Sequence, residues 1–324
     1  MDSLPVKTAV VGVGSLGQWH VRVLAQACPA ARLVGVFDAD AARAREIADR
    51  YHTRMLASLE EVAREAEAAS VAVPTPLHFE VASFLLGCGL HLLVEKPLAA
   101  TAEEADRLCQ QARAHQRLLQ VGHIERYNAA LDALAAFPKP PLAIEAVRLA
   151  PYPPPRPGLP PRGTEVSVIH DLMIHDLELA LFLTQAPLES AEGWTACYLS
   201  PTADVAQARL RFANGTLATF WASRTGPDRV RLWRLYYPEG VVALDLQTPS
   251  ARIARRQGTA FVAEDIPLAR RDALEAELND FIAAIREGRN PTVPGECGVL
   301  ALRAAEAVLN SAAQGRPLCP PVPF

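Results

Sequence analysis

Within residues 169–183 three groups able to handle a proton are spaced to act together: Asp171, His175 and Glu178. They recur at i, i+4 and i+7, which on a helix is one face. Most other positions of the stretch are apolar, so the helix is predicted to be mostly buried. Unpaired burial of such groups is costly, and the polar stripe must therefore find partners or line a cavity. His170 and Asp176 are turned about a hundred degrees from their neighbours in the stripe. A histidine oriented by a carboxylate can take the proton of a hydroxyl; an Asp and His one turn apart can equally be a structural pair. The second candidate is Lys96, in Glu95-Lys96-Pro97, one of only three lysines beside Lys7 and Lys139. A residue before proline favours extended or turn backbone. An ammonium held there can bind a reacting hydroxyl and stabilise the alkoxide as it forms.

Removing a hydroxyl proton oxidises nothing unless a hydride acceptor is present, and the amino-terminal segment is built for one. Val10-Val11-Gly12-Val13-Gly14-Ser15-Leu16-Gly17 is followed twenty-one residues later by Asp38, at the end of Leu33-Val34-Gly35-Val36-Phe37-Asp38. This reads as strand, glycine turn, helix and second strand ending in an acid, the pattern of a dinucleotide site. Gly12 permits the tight turn, Gly14 lets backbone approach a pyrophosphate, and Gly17 lets the helix pack on the strand. Ser15 and Leu16 lie at the helix start, whose N–H groups meet phosphate charge. Asp38 is positioned for the adenosine ribose hydroxyls, which favours NAD over its 2′-phosphorylated form.

These groups need elements to hold them. After Asp38 the pattern predicts a helix to about Tyr51, a short strand over 53–56, and a helix begun by Ser58 with Glu60 and Glu61 in its first turn. A strand over 70–73 follows, broken by Pro74-Thr75-Pro76, then a helix over 78–88, a strand over 91–94 stopped by Glu95-Lys96-Pro97, a helix capped by Thr101, and a strand over 118–122. Strands alternating with helices imply a doubly wound parallel sheet of the Rossmann kind. Ligands in such sheets sit beyond the carboxyl ends of the strands. That rule gathers Gly12 to Gly17, Asp38, Pro74 to Pro76, Glu95 to Pro97 and Gly122-His123 on one edge. The pattern then changes to strands over 143–149, 190–198, 204–212, 217–223, 230–237 and 240–246, joined by turn signals such as Asn214-Gly215, which implies a largely antiparallel open sheet. Residues 151–163 are proline-dense and read as a stiff extended loop or, alternatively, as a disordered linker, and helices over 272–287 and 296–314 end the chain. The fold class is thus α/β for residues 1–122, a NAD-binding domain, and α+β for residues 123–324, a second domain whose terminal helices can pack back on the first.

At 324 residues two domains are expected. With 50% hydrophobic residues, 21% charged and a net charge of −4, the chain is ordinary for a soluble protein and lacks the basic run that nucleic acid or an anionic membrane would require. No transmembrane segment or signal peptide is expected, which points to the cytoplasm. The six cysteines are scattered, without metal-site or disulfide-framework spacing, and read as small buried hydrophobes with reduced thiols. No metal is expected.

Val71-Ala72-Val73-Pro74-Thr75-Pro76-Leu77-His78, Val94-Glu95-Lys96-Pro97-Leu98 and Asp171 to His175 together resemble the glucose–fructose oxidoreductase, inositol dehydrogenase and rhizopine catabolism family. The endings around Leu278 to Pro291 and Ser311 to Pro317 are similar to that family's tail, so the resemblance spans the chain. It implies a Rossmann domain, a C-terminal substrate-binding and oligomerisation domain with an open sheet that often forms a homodimer or homotetramer, NAD as cofactor, and Lys96, Asp171 and His175 as catalytic residues. It also implies that Pro74, Thr75, Pro76, His78 and Glu95 belong to the cofactor site, with Thr75, Pro76 and His78 at the nicotinamide ribose.

Gly122-His123-Ile124-Glu125-Arg126-Tyr127-Asn128 and Arg162-Gly163-Thr164 resemble the subgroup that oxidises UDP-N-acetylamino sugars at the 3-hydroxyl. Met173, where the wider family has glycine, is shared with it; Glu178 stands in place of the usual Asp and Ala129 in place of a proline. Arg126 and Arg162, with Arg156 beside them, then become candidates for the substrate diphosphate. An inositol or free-sugar dehydrogenase, a non-catalytic NAD-binding sensor or repressor, and an NAD-dependent glycosidase remain alternatives, as do His175 and Lys96 as the base.

Overall fold

The structure, a computed structural model, describes residues 4–137, 140–155, 161 and 163–318. The amino-terminal part runs β1 (Val6–Val11), α1 (Gly17–Gln26), β2 (Ala31–Phe37), α2 (Ala41–Arg50), α3 (Leu59–Glu65), β3 (Ala68–Val71), α4 (His78–Gly87), β4 (His91–Glu95), α5 (Ala102–Ala114) and β5 (Leu119–Gly122). The five strands pair in parallel in the order β2-β1-β3-β4-β5. Their near-continuous apolar runs suit strands covered on both faces; Val10, Val36 and Leu93 are fully buried. Helix starts are written in side chains, as Asp40, Ser58 and Thr101 accept first-turn N–H groups of α2, α3 and α5.

The strand expected over 53–56 is reduced to one parallel bridge, Met55 to Val36. Val36 N–H donates to Arg54 O, and Leu56 N–H donates to Val36 O, both at 2.8 Å. Left-handed His52, at φ 52°, and the Ser58 cap leave too few residues between them for a longer ladder. The bridge lies on the free edge of β2, so counting it as a strand restores the 3-2-1-4-5-6 order of dinucleotide-binding sheets.

The second part comprises β6 (Ala143–Leu149), α6 (Ile174–Thr184), β7 (Leu188–Ala196), β8 (Val205–Phe212), β9 (Leu217–Ser223), β10 (Val230–Tyr237), β11 (Gly240–Asp245), β12 (Ser250–Gln257) and β13 (Ala260–Ile266). They form an eight-stranded sheet in the order β13-β12-β11-β10-β6-β9-β8-β7, antiparallel except for β6 beside β9. The β12–β13 hairpin was not among the expected strands. On one face Ile144, Phe220, Trp233, Leu235 and Val242 pack with Leu177 and Ala180 of α6 in a single core. On the other, Trp194, Gln207, Trp221, Val147 and Leu232 form one cross-strand row. The two indoles of this row stack at 6.2 Å, and Trp194, Trp221 and Leu232 are exposed. Edge strand β7 is met by the end of the chain, where Ala191 and Leu318 exchange two backbone hydrogen bonds of 2.8 Å.

Two helices follow, α7 (Ala273–Glu287) and α8 (Gly295–Gln314). Two compact units result, one of Met1–Tyr127 with Arg271–Val299, the other of Asn128–Arg270 with Leu300–Phe324. In the first unit α7 adds Leu278, Phe281 and Ile282 to the core. The division falls after Tyr127, five residues past the end of β5, because Tyr127 is tied to the first unit: Gln120 Nε2 donates to its hydroxyl at 3.2 Å, and that hydroxyl donates to Asp280 on α7 at 2.9 Å.

The described cysteines are free. Cys28 and Cys109 are buried as expected. Cys88 and Cys197 correct that expectation: they follow the ends of α4 and β7 and are exposed. No helix among the described residues is long and apolar enough to cross a membrane.

Candidate active site

The glycine turn between β1 and α1 is tight for a visible reason. Gly12 has φ +84°, and a Cβ there would lie 2.7 Å from the Ala72 backbone; a Cβ on Gly17 would run into Gly12 O. The turn can therefore close against β3 and onto α1 only because both side chains are missing. No side chain caps the start of α1, and Ser15 and Leu16 are exposed beside it. That leaves the helix start able to meet a phosphate. Half-buried Asp38 is held at the end of β2: Val13 N–H donates to its Oδ2 at 2.7 Å and Asp40 N–H to its Oδ1 at 2.9 Å. Arg43 is committed elsewhere, with Nε donating to Val13 O and Nη1 to Glu46. Cradle, open helix start and fixed acid all fit a dinucleotide.

Beyond β3, Pro74 leads into a 3₁₀ turn, Thr75–Leu77, with Pro76 exposed. His78 opens α4 and is buried; its ring nitrogens lie 2.7 Å from Pro97 O and 2.8 Å from Val73 O. Burial holds this imidazole below the usual histidine range despite those bonds. With each nitrogen facing a carbonyl oxygen and one of them donating, the ring is a strut between the turns after β3 and β4.

Lys96 is half-buried just past β4, its peptide to Pro97 is cis, and its N–H donates to Glu95 Oε2 at 3.2 Å. Glu95 is buried with Oε1 3.1 Å from His20 Nε2, while His20 Nδ1 sits 2.7 Å from Ser70 Oγ. Neither His20 nor Ser70 announced itself in the sequence. Glu277 of α7 is fully buried with both carboxyl oxygens lacking a hydrogen bond. Burial, then the charges of Glu95 and Asp280, push it well above the usual carboxylate range. His123 is driven to about 3 by burial, then by Lys96 and Arg126, and is neutral. Arg126 is half-buried on the 3₁₀ turn Ile124–Tyr127, its Nη2 donating to Thr292 O at 3.3 Å. Arg156 and Arg162 lie outside the described residues.

In the second unit the predicted helix over 169–183 begins as a π turn, Ile169–Met173, and continues as α6. The wider π turn advances less per residue than an α-helix, bringing Asp171 and His175 closer to eclipsed than ideal i, i+4 geometry. Both are half-buried, whereas Glu178, in the same predicted stripe, is buried. Asp176, turned away from the stripe, faces the sheet. Arg148 Nε donates to its Oδ2 at 2.8 Å and Nη2 to its Oδ1 at 2.9 Å, and Trp233 Nε1 adds a bond of 2.9 Å. This buried fork pins the helix beside His175 to β6 and β10. A signal was available: in strand 143–149 the inward phase runs Ile144, Ala146, Arg148, and an inward arginine demands a buried acid. Among the described residues no cluster of three or more His, Cys, Asp or Glu could hold a metal ion.

Two family models match the chain: residues 6–123 match the oxidoreductase family with NAD-binding Rossmann fold, and residues 141–243 match the GFO/IDH/MocA C-terminal domain. The UDP-N-acetylglucosamine 3-dehydrogenase of Acidithiobacillus ferrooxidans is 36% identical over 309 residues, 93% of this chain and 95% of that protein. A solved structure of that enzyme superposes with a TM-score of 0.90 at 34% identity, covering 96% of this chain and 99% of that one. The scyllo-inositol 2-dehydrogenase (NAD(+)) of Bacillus subtilis is 25% identical, over 97% of this chain and 96% of that protein. With both of its domains matched, this chain belongs to the Gfo/Idh/MocA family of NAD-binding oxidoreductases, and it is an NAD-dependent dehydrogenase of that family's sugar-oxidising kind.

Proposed function

We propose that the chain oxidises the 3-hydroxyl of a UDP-N-acetylamino sugar, with UDP-N-acetylglucosamine as the substrate. The observation that carries this reading is the near full-length likeness to the Acidithiobacillus ferrooxidans enzyme, at 36% identity. NAD, when bound, accepts the hydride. Gly12, Gly14, Gly17 and the start of α1 hold its pyrophosphate, Asp38 its adenosine ribose, and the turns at Pro74 to Pro76 and at Glu95-Lys96, braced by His78, its nicotinamide end.

The remaining work belongs to side chains. His175 takes the hydroxyl proton at an imidazole nitrogen, Asp171 sets the ring's orientation, and Lys96 donates to the oxygen as its charge builds. Lys96 as the base, with His175 holding the hydroxyl, is the alternative assignment. Asp176, held by Arg148 and Trp233, fixes the helix that presents His175. Arg126 and Arg162 are the proposed diphosphate ligands, since the guanidinium fork matches phosphate oxygens. We further propose a cytoplasmic homo-oligomer formed through the open sheet face, whose exposed Trp194, Trp221 and Leu232 would be covered by a second copy.

Anaerobic incubation with NAD and UDP-N-acetylglucosamine, read by mass spectrometry, should yield a product two hydrogens lighter. If that product is missing while an inositol is oxidised, the nucleotide-sugar reading falls. The inositol reading, supported by the Bacillus subtilis relative, then stands.

A further inference from the structure

Asp171 lies against Gly163: a Cβ built on that glycine, which has φ +80°, would sit 2.8 Å from Asp171 Oδ2. The carboxylate therefore rests on bare backbone, and its position depends on where residues 163–166 are held. Those residues are gripped by Arg224, which follows β9 and is 2% exposed.

A guanidinium has five N–H donors, and all five are engaged. Nε donates to Asp204 Oδ1 at 2.9 Å; Nη1 donates to Gly163 O at 2.7 Å and Val166 O at 3.0 Å; Nη2 donates to Ser200 Oγ at 2.9 Å and Thr202 Oγ1 at 2.8 Å. Thr202 reinforces the grip, its one hydroxyl proton shared between Thr164 O at 3.0 Å and Val166 O at 2.9 Å. Val168 N–H donates to Ala203 O at 2.8 Å, so the same loop ties down the start of the π turn. Asp204 is fully buried and anchors the other side, its Oδ2 accepting the N–H groups of Tyr198, Leu199 and Ser200. Burial pushes its carboxyl up, but Ser200, these amides and Arg224 outweigh that and keep it ionised.

We infer that Arg224 is a positioning residue for Asp171, fixing through its five bonds the turn on which the Asp171 carboxylate rests. Asp204 and Thr202 are the other parts of this clamp. The inference rests on the dehydrogenase reading for the role it gives Asp171, whereas the clamp's hold on residues 163–166 can be measured without substrate.

The test uses Arg224→Lys, which keeps the charge opposite Asp204 but has three donors, and Thr202→Val, which keeps the shape and removes the hydroxyl. Each should speed amide exchange within residues 163–171. Each should also lower kcat about 10- to 100-fold, the scale of a small misplacement in a catalytic constellation, and leave the KM for NAD unchanged within about twofold. In an Asp171→Asn background the same changes should cost less than about threefold more, because residues acting as one unit are not additive. Ser311→Ala removes a buried hydroxyl elsewhere in the unit, between Gly193 N–H and Arg316 O, and controls for general destabilisation with kcat unchanged. Losses that multiply in full with Asp171→Asn, or unchanged exchange and unchanged kcat, overturn the inference. If the wild type turns over no sugar, the dehydrogenase reading fails by itself and the exchange result still decides the clamp.

Discussion

Asp176→Ala should destabilise the second unit strongly, and the structure says by how much. The side chains of Arg148 and Asp176 are each 3% exposed, and the carboxylate accepts two guanidinium bonds and one from Trp233. Removing the acid strands a buried charge and leaves a buried indole N–H unpaired. Breaking a buried pair on one side costs about 3–5 kcal/mol. For a unit of this size that corresponds to a fall in Tm of roughly 6–20 °C. Removing both charges has a different outcome, since apolar residues of similar volume avoid the desolvation that the ion pair overcomes. Arg148→Met with Asp176→Leu should therefore recover at least about 2 kcal/mol of the single variant's loss. Urea unfolding followed by tryptophan fluorescence suits the measurement, because Trp194, Trp221 and Trp233 lie in this unit and only Trp19 in the other. A loss below about 1 kcal/mol for Asp176→Ala, within the range of an exposed pair, would refute the reasoning. So would a double variant less stable than the single one.

NAD should bind more tightly than NADP, since a 2′-phosphate beside Asp38 meets like charge worth about 1–4 kcal/mol at contact; tighter NADP binding in a titration rejects the role given to Asp38. His175→Ala and Lys96→Ala should each lower kcat by about a hundredfold to ten-thousandfold while circular dichroism stays native, and normal turnover by both removes the catalytic assignment. Glu277→Gln tests the buried acid through pH. Because the folded state keeps a proton that the unfolded chain releases above about pH 4–5, wild-type stability should fall as pH rises from there through the elevated native value. The glutamine variant should lose less over that window, so its advantage in urea unfolding grows as pH rises above about 5; an advantage independent of pH contradicts an elevated Glu277.

The parts of the cofactor edge that were legible in the sequence are those in which backbone geometry dictates residue type. Gly12 and Gly17 face atoms that leave no room for a Cβ, and Asp38 ends a strand whose partner is the glycine-turn strand, so local spacing carries the information. The Asp171 to His175 stripe was legible for the same reason, although its π turn was not, since nothing in Ile169-His170-Asp171 distinguishes a five-residue from a four-residue turn. What escaped was long-range pairing. Asp176 is turned from the stripe, as helix geometry requires, but its partners, Arg148 and Trp233, lie on strands 28 and 57 residues away, beyond the reach of local spacing. Arg224 and Asp204 escaped likewise, as did the Glu95, His20 and Ser70 cluster. The β12–β13 hairpin escaped for another reason: Phe261 and Val262 are exposed with their neighbours, so β13 lacks the in-and-out alternation that marks a half-buried strand.

The bridge between Ala191 and Leu318 bears on colloidal behaviour. A long sheet has two rims whose unpaired backbone groups can recruit the rim of another molecule. Here the rims are guarded by different means. On β13, Glu264 and Asp265 interrupt the rim with charge. On β7 the guard is the chain itself, whose Leu318 takes up the hydrogen bonds of Ala191. Truncation before Leu318 would thus remove none of the residues proposed for catalysis, yet it would uncover a template for edge-to-edge growth. Insoluble material from such a truncation would reflect a lost strand guard rather than a failed fold.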